Sequence, residues 1–182
     1  MIKIIVLILL GTALIYYSLN QQKCKVVDNQ TFCIKPESDK IKYETLQYID
    51  TNLEKIVLYV KEKYPNKSIT KSLVKRYDET TKLSELIDTE DNVAYSKNKG
   101  EEIAICLEDK NIDKNTMMFV CIHELSHIGT NEIGHTRNFW KNMKFLLECA
   151  VKLNIYVPQD YSKNPVTFCD YKITSSPLYK KY

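Results

Sequence analysis

The chain has 182 residues, of which 44% are hydrophobic and 27% are charged, a composition typical of one globular domain with or without an appendage. Its 26 lysine and arginine residues nearly balance 23 aspartate and glutamate residues, and the net charge of +3 is too small to predict nucleic acid as a partner. With four glycines and no glycine-rich phosphate loop, the sequence also disfavours an enzyme driven by nucleotides.

The first twenty residues predict a membrane segment. No charged residue lies between Lys3 and Lys23, and residues 4–19 are almost wholly apolar. These residues as a helix would reach roughly 24 Å, so spanning a ~30 Å hydrocarbon core requires their neighbours as well. An uncleaved single-pass anchor over residues 1–20 is favoured, because no small-residue cleavage site follows the apolar run. A cleaved signal peptide and a buried helix are the alternatives.

The side of the membrane that the remaining chain would occupy is left open. Lysines are more numerous after the apolar run than before it, which favours a cytosolic domain. Cys24 and Cys33, however, flank a turn-forming sequence and would close a disulfide-linked hairpin in an oxidising compartment. Residues 21–40 are therefore expected to be a stalk or hairpin. Cys106 and Cys121 belong to no C-x-x-C pair and are expected to be small buried apolar groups.

Residues 41–182 are predicted to form one domain. Apolar residues recur every three or four positions over residues 41–64, which is the period of an amphipathic helix. Residues 68–98 show only short apolar patches and indicate no more than short strands and a turn. Residues 102–107 are rich in isoleucine and follow turn-forming residues, which indicates a strand.

Two further helices are predicted in the second half of the chain. One covers residues 116–128, and an amphipathic helix that packs against it begins near Thr136. Gly129 is expected to adopt the left-handed conformation that turns the chain after the first of these helices. Among the thirteen tyrosines, Tyr161 and Tyr171 are expected to have structural roles.

The three histidines of the sequence are clustered within thirteen residues. His123 and His127 are four residues apart, so a helix places both imidazoles on one face, where they can hold one ion. Catalytic zinc takes three protein ligands and leaves a fourth position for water, and His135 is the predicted third ligand. Zinc is favoured over other first-row metals because three imidazoles with an open position suit it.

Glu124, directly after the first ligand, is the predicted general base. Zinc lowers the pKa of water from about 15.7 toward about 7, and a nearby carboxylate can take the proton as the water attacks a peptide carbonyl. The strand over residues 102–107 is expected to be an edge strand beside the zinc helix, where an extended peptide could pair with it. The implied reaction is peptide-bond hydrolysis.

The residues from His123 to Trp140 resemble the zinc helix and third-ligand segment of the WLM and SprT-like metalloproteases; they read HELSHIGTNEIGHTRNFW. The family pattern is H-E-x-x-H, a short loop, and a histidine followed four residues later by phenylalanine, here Phe139. Residues 94–170 are also similar to small membrane-anchored zinc proteases of large DNA viruses. The resemblance implies a minimal zincin fold of class α+β, with a zinc helix, a small sheet and a following amphipathic helix. It carries over the zinc ligands His123, His127 and His135 and the catalytic residue Glu124.

The sequence therefore predicts a membrane-anchored, zinc-dependent endopeptidase located in a host or virion membrane. Its expected partners are a protein or peptide substrate and, through residues 1–20, a membrane. The competing hypothesis is a non-catalytic membrane or virion protein in which zinc only stabilises a small domain. Nucleic acid is not an expected partner, so the protein–DNA crosslinks associated with soluble WLM and SprT-like enzymes are not the expected substrate. A DNA-associated protease is the third and weaker hypothesis.

Overall fold

The computed structural model describes residues 11–12, 21–78, 81–87, 92–108 and 113–181. Within these ranges the chain is an α+β fold. Its elements are, in order, β1 (Lys23–Val27), β2 (Gln30–Ile34), α1 (Lys40–Lys63), α2 (Ser68–Arg76), β3 (Lys82–Glu85), β4 (Ala94–Lys97), β5 (Glu102–Ile105), α3 (Lys114–Gly129), α4 (Arg137–Lys152), β6 (Val166–Phe168), β7 (Tyr171–Ile173) and a 3-10 turn (Pro177–Tyr179).

The predicted N-terminal transmembrane helix, and the single-pass membrane localisation that followed from it, are contradicted. Among the described residues, no helix combines the length and the apolar character that a membrane span requires. A span needs about 20 predominantly apolar residues. The longest of the described helices, α1, has 24 residues but carries lysine and glutamate side chains along its length. Apart from Gly11 and Thr12, the predicted anchor over residues 1–20 lies outside the described residues.

Five strands form one mixed sheet in the order β1-β2-β3-β5-β4. β1 and β2 are an antiparallel hairpin, whose turn residues Asp28 and Asn29 have positive φ angles of 49° and 68°. Cys24 and Cys33 face each other across this hairpin and form a disulfide, as the sequence predicted for an oxidising compartment. β2, β3 and β5 run parallel, and β4 is antiparallel to β5.

The edge strand beside the helix that carries the histidines is β4, and the prediction that β5 has this place is wrong. β5 lies between β3 and β4, and all four of its residues are buried. Its isoleucine-rich sequence is what a strand needs when it is covered on both faces. β4 alternates half-buried and exposed residues and packs against α3. Its short, polar sequence (AYSK) carries no apolar pattern that would have identified it.

The helices lie close to the predicted positions, and one additional helix is present. α1 buries the predicted apolar stripe of leucine, isoleucine and valine side chains. α2 occupies part of the segment that the sequence left as short strands and a turn, and nine residues are too few to show a helical period clearly. α3 is buried on most sides, because α1, α2, α4 and β4 all pack against it.

Gly129 has a different role from the predicted one. It is the last residue of α3 instead of a left-handed turn residue. A Cβ atom at this position would lie 2.7 Å from Cγ1 of Ile69 on α2, so glycine is needed for the close approach of two helices. The left-handed residue of the following loop is Gly134, with a φ angle of 79°.

A second disulfide joins Cys106, just after β5, to Cys169 in the turn of the β6–β7 hairpin. Cys106 is buried, as predicted, but it belongs to a disulfide and is not a separate small apolar group, whereas Cys121 is buried and free. The two bridged cysteines are 63 residues apart in the chain, and nothing local in the sequence links them. The bridge attaches the hairpin at Cys106, whose backbone N–H bonds the carbonyl of Val93 directly before β4.

Candidate metal centre

The three histidines come together where α3 ends. His123 and His127 lie one turn apart on α3, and His135 ends the loop that leads into α4. The Nε2 atom of His135 is 2.9 Å from that of His123 and 3.2 Å from that of His127, and the first two are 3.2 Å apart. Tetrahedral nitrogen ligands around zinc, with bonds of about 2.0–2.1 Å, would be separated by about 3.3 Å. The donor set therefore fits a single zinc ion.

The third imidazole is held in place by the start of α4. The hydroxyl of Thr136 accepts a hydrogen bond from the backbone N–H of Phe139 and so caps the helix. The carboxylate of Glu132 accepts hydrogen bonds from Thr136 and Asn138 and closes the loop onto the same turn. His135, directly before the cap, is thus positioned by helix initiation.

Two aromatic side chains on the first turn of α4 pack against the imidazoles. Phe139 is fully buried and stacks on His127 with 4.3 Å between ring centroids. It contacts His123 and His135 edge-on, at 4.9 and 4.8 Å. Trp140 stacks on His135 at 5.4 Å. Such contacts orient the rings before any ion binds.

Burial and mutual proximity keep the imidazoles of His123 and His127 neutral. Burial lowers the pKa of His123 to about 3, and the neighbouring imidazoles act in the same direction. Burial also lowers the pKa of His127 to about 4, with a further contribution from His135. Since neutral imidazole is the form that binds a metal, His123 and His127 can coordinate an ion at neutral pH.

Glu124 is buried between α3 and β4. Its side chain accepts hydrogen bonds from both the hydroxyl and the backbone N–H of Ser96 on β4. Burial raises the pKa of Glu124 to about 7, although these two hydrogen bonds lower it in part. A carboxyl group with a pKa near neutrality is suited to accepting and returning a proton. Ser96 was missed at the sequence level, because a single serine in an unassigned segment carries no signal.

A cleft of about 820 Å³ opens over the imidazoles and Glu124. Its walls are β4, the loop before α4, the first turn of α4 and the β6–β7 hairpin. Three apolar side chains at its rim are exposed: Tyr95 (39%), Tyr171 (61%) and Ile133 (91%). Tyr171, expected to be structural, thus lies at the cleft, whereas Tyr161 is fully buried.

Comparisons with known proteins give relatives without an assigned activity. No family model matches the chain, and no solved structure matches it. The chain is 30% identical over 131 residues to uncharacterized protein R325 of Acanthamoeba polyphaga mimivirus, which covers 68% of this chain and 66% of the relative. It is 40% identical over 74 residues to uncharacterized protein 042R of Invertebrate iridescent virus 3, covering 38% of this chain and 46% of the relative. It is 28% identical over 157 residues to uncharacterized protein 136R of Invertebrate iridescent virus 6, covering 81% of this chain and 87% of the relative.

The chain therefore spans less than two thirds of the length of the first two relatives and most of the third. The names of these relatives state no activity, and the resemblance to WLM and SprT-like metalloproteases stays a prediction.

Proposed function

We propose that this protein is a zinc-dependent endopeptidase, in which His123, His127 and His135 bind the ion and Glu124 is the general base. The observation that carries the proposal is the convergence of three imidazole Nε2 atoms within 3.2 Å of one another. Their position in an open cleft next to a buried carboxyl group favours a catalytic site over a purely structural one.

The imidazoles suit zinc in number, chemistry and spacing. Zinc bound by three imidazoles supplies a Lewis acid and lowers the pKa of water to about 7. His135 is exposed and the other two histidines are half-buried, so the ligand set faces the cleft rather than the protein core. A substrate carbonyl can therefore approach from that side.

Glu124 performs the proton transfers of the proposed reaction. When water attacks the peptide carbonyl, a carboxylate oxygen of Glu124 accepts the proton that the water loses. The same oxygen then donates this proton to the nitrogen of the departing amine, so the peptide C–N bond breaks and the carboxyl group returns to its starting state. Ser96 holds the carboxylate by two hydrogen bonds and thereby limits its rotation.

β4 is the element that would bind an extended peptide, in place of the strand predicted from the sequence. The carbonyl of Val93 accepts a hydrogen bond of 2.8 Å from the N–H of Cys106. In an antiparallel pair such bonds alternate, so Tyr95 also pairs with β5, whereas the N–H and C=O groups of Ala94 and Ser96 point to the open edge. The Ser96 N–H is used by Glu124, and the Ala94 groups can pair with a peptide backbone.

The test measures zinc content and cleavage on the same samples of the full chain. Inductively coupled plasma mass spectrometry and a casein cleavage assay are applied to the wild type and to the His135→Ala, Glu124→Gln and Glu148→Gln variants. Glu148 is an exposed residue of α4 and provides the matched control for loss of one glutamate charge.

We expect one zinc per wild-type chain and cleavage that a chelator abolishes. The His135→Ala variant should lose zinc, because two imidazoles do not make a catalytic site. The Glu124→Gln variant should keep zinc and lose cleavage by at least roughly 100-fold, whereas Glu148→Gln should behave as the wild type. Cleavage that persists in Glu124→Gln would refute the assigned role, and stoichiometric zinc without any cleavage would favour the structural hypothesis.

A further inference from the structure

Lys99, in the turn between β4 and β5, reaches across to the end of α3. Its Nζ atom donates hydrogen bonds to three backbone carbonyl oxygens, those of His127 (3.1 Å), Thr130 (2.6 Å) and Glu132 (2.9 Å). An ammonium group carries three protons, so these bonds use all of its donors. The first carbonyl belongs to a histidine of the metal centre, and the other two belong to the loop that leads to His135.

The turn that carries Lys99 is shaped to place this ammonium group. Asn98, Lys99 and Gly100 have positive φ angles of 47°, 58° and 122°. Lysine adopts this conformation only at a cost, because its Cβ atom crowds the backbone. A Cβ atom on Gly100 would lie 2.2 Å from the carbonyl oxygen of Arg76, so the turn packs directly on the end of α2. The position of the turn is therefore tightly determined.

Arg76 provides a second cationic contact to the same segment. Its Nη1 atom donates to the carbonyl of Ile128 at 2.9 Å, and its Nη2 atom donates to the side-chain oxygen of Asn131 at 2.8 Å. The last carbonyls of a helix have no partners within the helix, and the negative end of the helix dipole favours cations. Lys99 and Arg76 together donate to carbonyl groups that the end of α3 leaves without partners inside the helix.

The loop from α3 to α4 has few apolar contacts of its own. The five residues 131–135 are all exposed, including Ile133. A loop of this kind would sample many conformations, because burial contributes little to hold it. The conformation of the loop therefore depends on polar contacts. The hydrogen bonds of Lys99 connect the last turn of α3, at His127, to Thr130 and Glu132 in the loop.

We propose that Lys99 is a positioning residue of the metal centre, which holds the loop so that His135 meets His123 and His127 before the ion binds. The inference rests on the metal-binding part of the proposed function and is independent of peptidase activity. Without the ammonium group, ion binding itself would have to order the loop, so zinc affinity would fall. Loss of the outer groups that orient metal ligands typically weakens binding by about 10- to 100-fold.

The test compares zinc affinity of the full-length wild type with that of Lys99→Met and Lys172→Met, by competition with a chromophoric chelator at one pH. Lys172 lines the same cleft, so its replacement removes one positive charge near the site without touching the loop carbonyls. Removing a cation near a dication should by Coulomb's law leave binding equal or stronger. Weaker binding in Lys99→Met alone would therefore identify positioning rather than electrostatics.

We expect zinc affinity to fall about 10- to 100-fold in Lys99→Met and to stay within about threefold of the wild type in Lys172→Met. Hydrogen exchange of residues 130–135 in the zinc-free protein should be faster in the first variant only. If Lys99→Met does not fold, Lys99→Gln is measured with the same expectation, since its shorter side chain cannot reach three carbonyls.

Equal zinc affinity in Lys99→Met and the wild type would overturn the positioning role, as would equal weakening in both variants. A wild-type chain that binds no zinc would instead overturn the proposed function from which the inference starts. The two failures are therefore distinguishable in one set of titrations.

Discussion

The burial of Glu124 has a consequence for stability that can be measured without a substrate. Replacing Glu124 by Gln should stabilise the zinc-free protein at pH 8 and change its stability little at pH 4. Glu124 is 6% exposed, so its ionised carboxylate lacks the hydration that it would have in the unfolded chain. The charged form is therefore disfavoured in the folded protein. Glutamine has nearly the same shape, can still accept a hydrogen bond from Ser96 and carries no charge.

The size of this effect follows from the pKa shift. Burial raises the pKa of Glu124 from 4.5 to about 7. Well below pH 4.5 the carboxyl group is protonated in both the folded and the unfolded chain, so its ionisation does not change the free energy of unfolding. As the pH rises from 4.5 to 7, the unfolded chain ionises first and stability is lost, and above pH 7 the loss is constant. Because one pKa unit corresponds to about 1.4 kcal/mol, the loss reaches about 3 kcal/mol.

The assay is urea unfolding of the zinc-free chain between pH 4 and pH 8, followed by fluorescence of the single tryptophan, Trp140. Glu102→Gln is the control with the opposite sign. Burial raises the pKa of Glu102, but hydrogen bonds from Ser84 and Lys82 outweigh burial and leave its pKa below the usual value. That substitution should therefore destabilise the protein at pH 8.

Two results would refute this reasoning about Glu124. The first is a stability difference between Glu124→Gln and the wild type that stays constant from pH 4 to pH 8. The second is a gain at pH 8 that does not shrink when zinc is added, because a bound dication should favour the carboxylate and remove much of the penalty.

Three further predictions concern the surroundings of the cleft. Ser96→Ala should keep zinc and lower the cleavage rate by about 10- to 100-fold, because the Glu124 carboxylate loses a charge-assisted hydrogen bond. Ser96→Thr should restore the rate, and an unchanged rate in Ser96→Ala would contradict the role of Ser96 in holding Glu124. Replacing Cys106 and Cys169 by serine should lower the free energy of unfolding by about 4 kcal/mol in urea titrations, more than loss of the hairpin disulfide, because the bridge spans 63 residues against 9. Gly129→Ala should lower the free energy of unfolding by about 1–2 kcal/mol, because its Cβ would lie 2.7 Å from Ile69 Cγ1. The loss is expected although alanine favours helices, and an unchanged melting temperature would disprove the clash.

Local patterns in the sequence were sufficient to locate α3, which carries two of the histidines, and α4, which follows the third. A spacing of four residues matches the helical repeat, so His123 and His127 are predicted on one helix face. α4 begins directly after Thr136, as the start of the amphipathic run predicts, and Thr136 caps the helix. These features depend on residues within a few positions of one another, so one sequence contains the information.

Two of the errors, the edge strand and the second disulfide, concern contacts between residues that are far apart in the chain. The apolar run of β5 says nothing about its neighbours, so its sequence does not distinguish a central strand from an edge strand, and the polar sequence of β4 gives no strand signal. Cys106 is in the core as predicted, but its disulfide could not be predicted because its partner, Cys169, lies 63 residues away. The predicted anchor over residues 1–20 rests instead on local features, namely an uncharged apolar run and the lack of a cleavage site, and no described helix has the properties of a membrane span.

The sequence by itself therefore determined which residues could bind a metal. These are two histidines four residues apart on one helix and a third eight residues later, with Glu124 directly after the first. Only the tertiary structure decided what surrounds them, namely Ser96 against the Glu124 carboxyl group, Lys99 on the ligand loop and a disulfide-held hairpin across the cleft. The physical reason is that spacing along one helix follows from covalent geometry. Burial, hydrogen bonding and pKa shifts instead arise from side chains that strand pairing and helix packing bring together from distant parts of the chain.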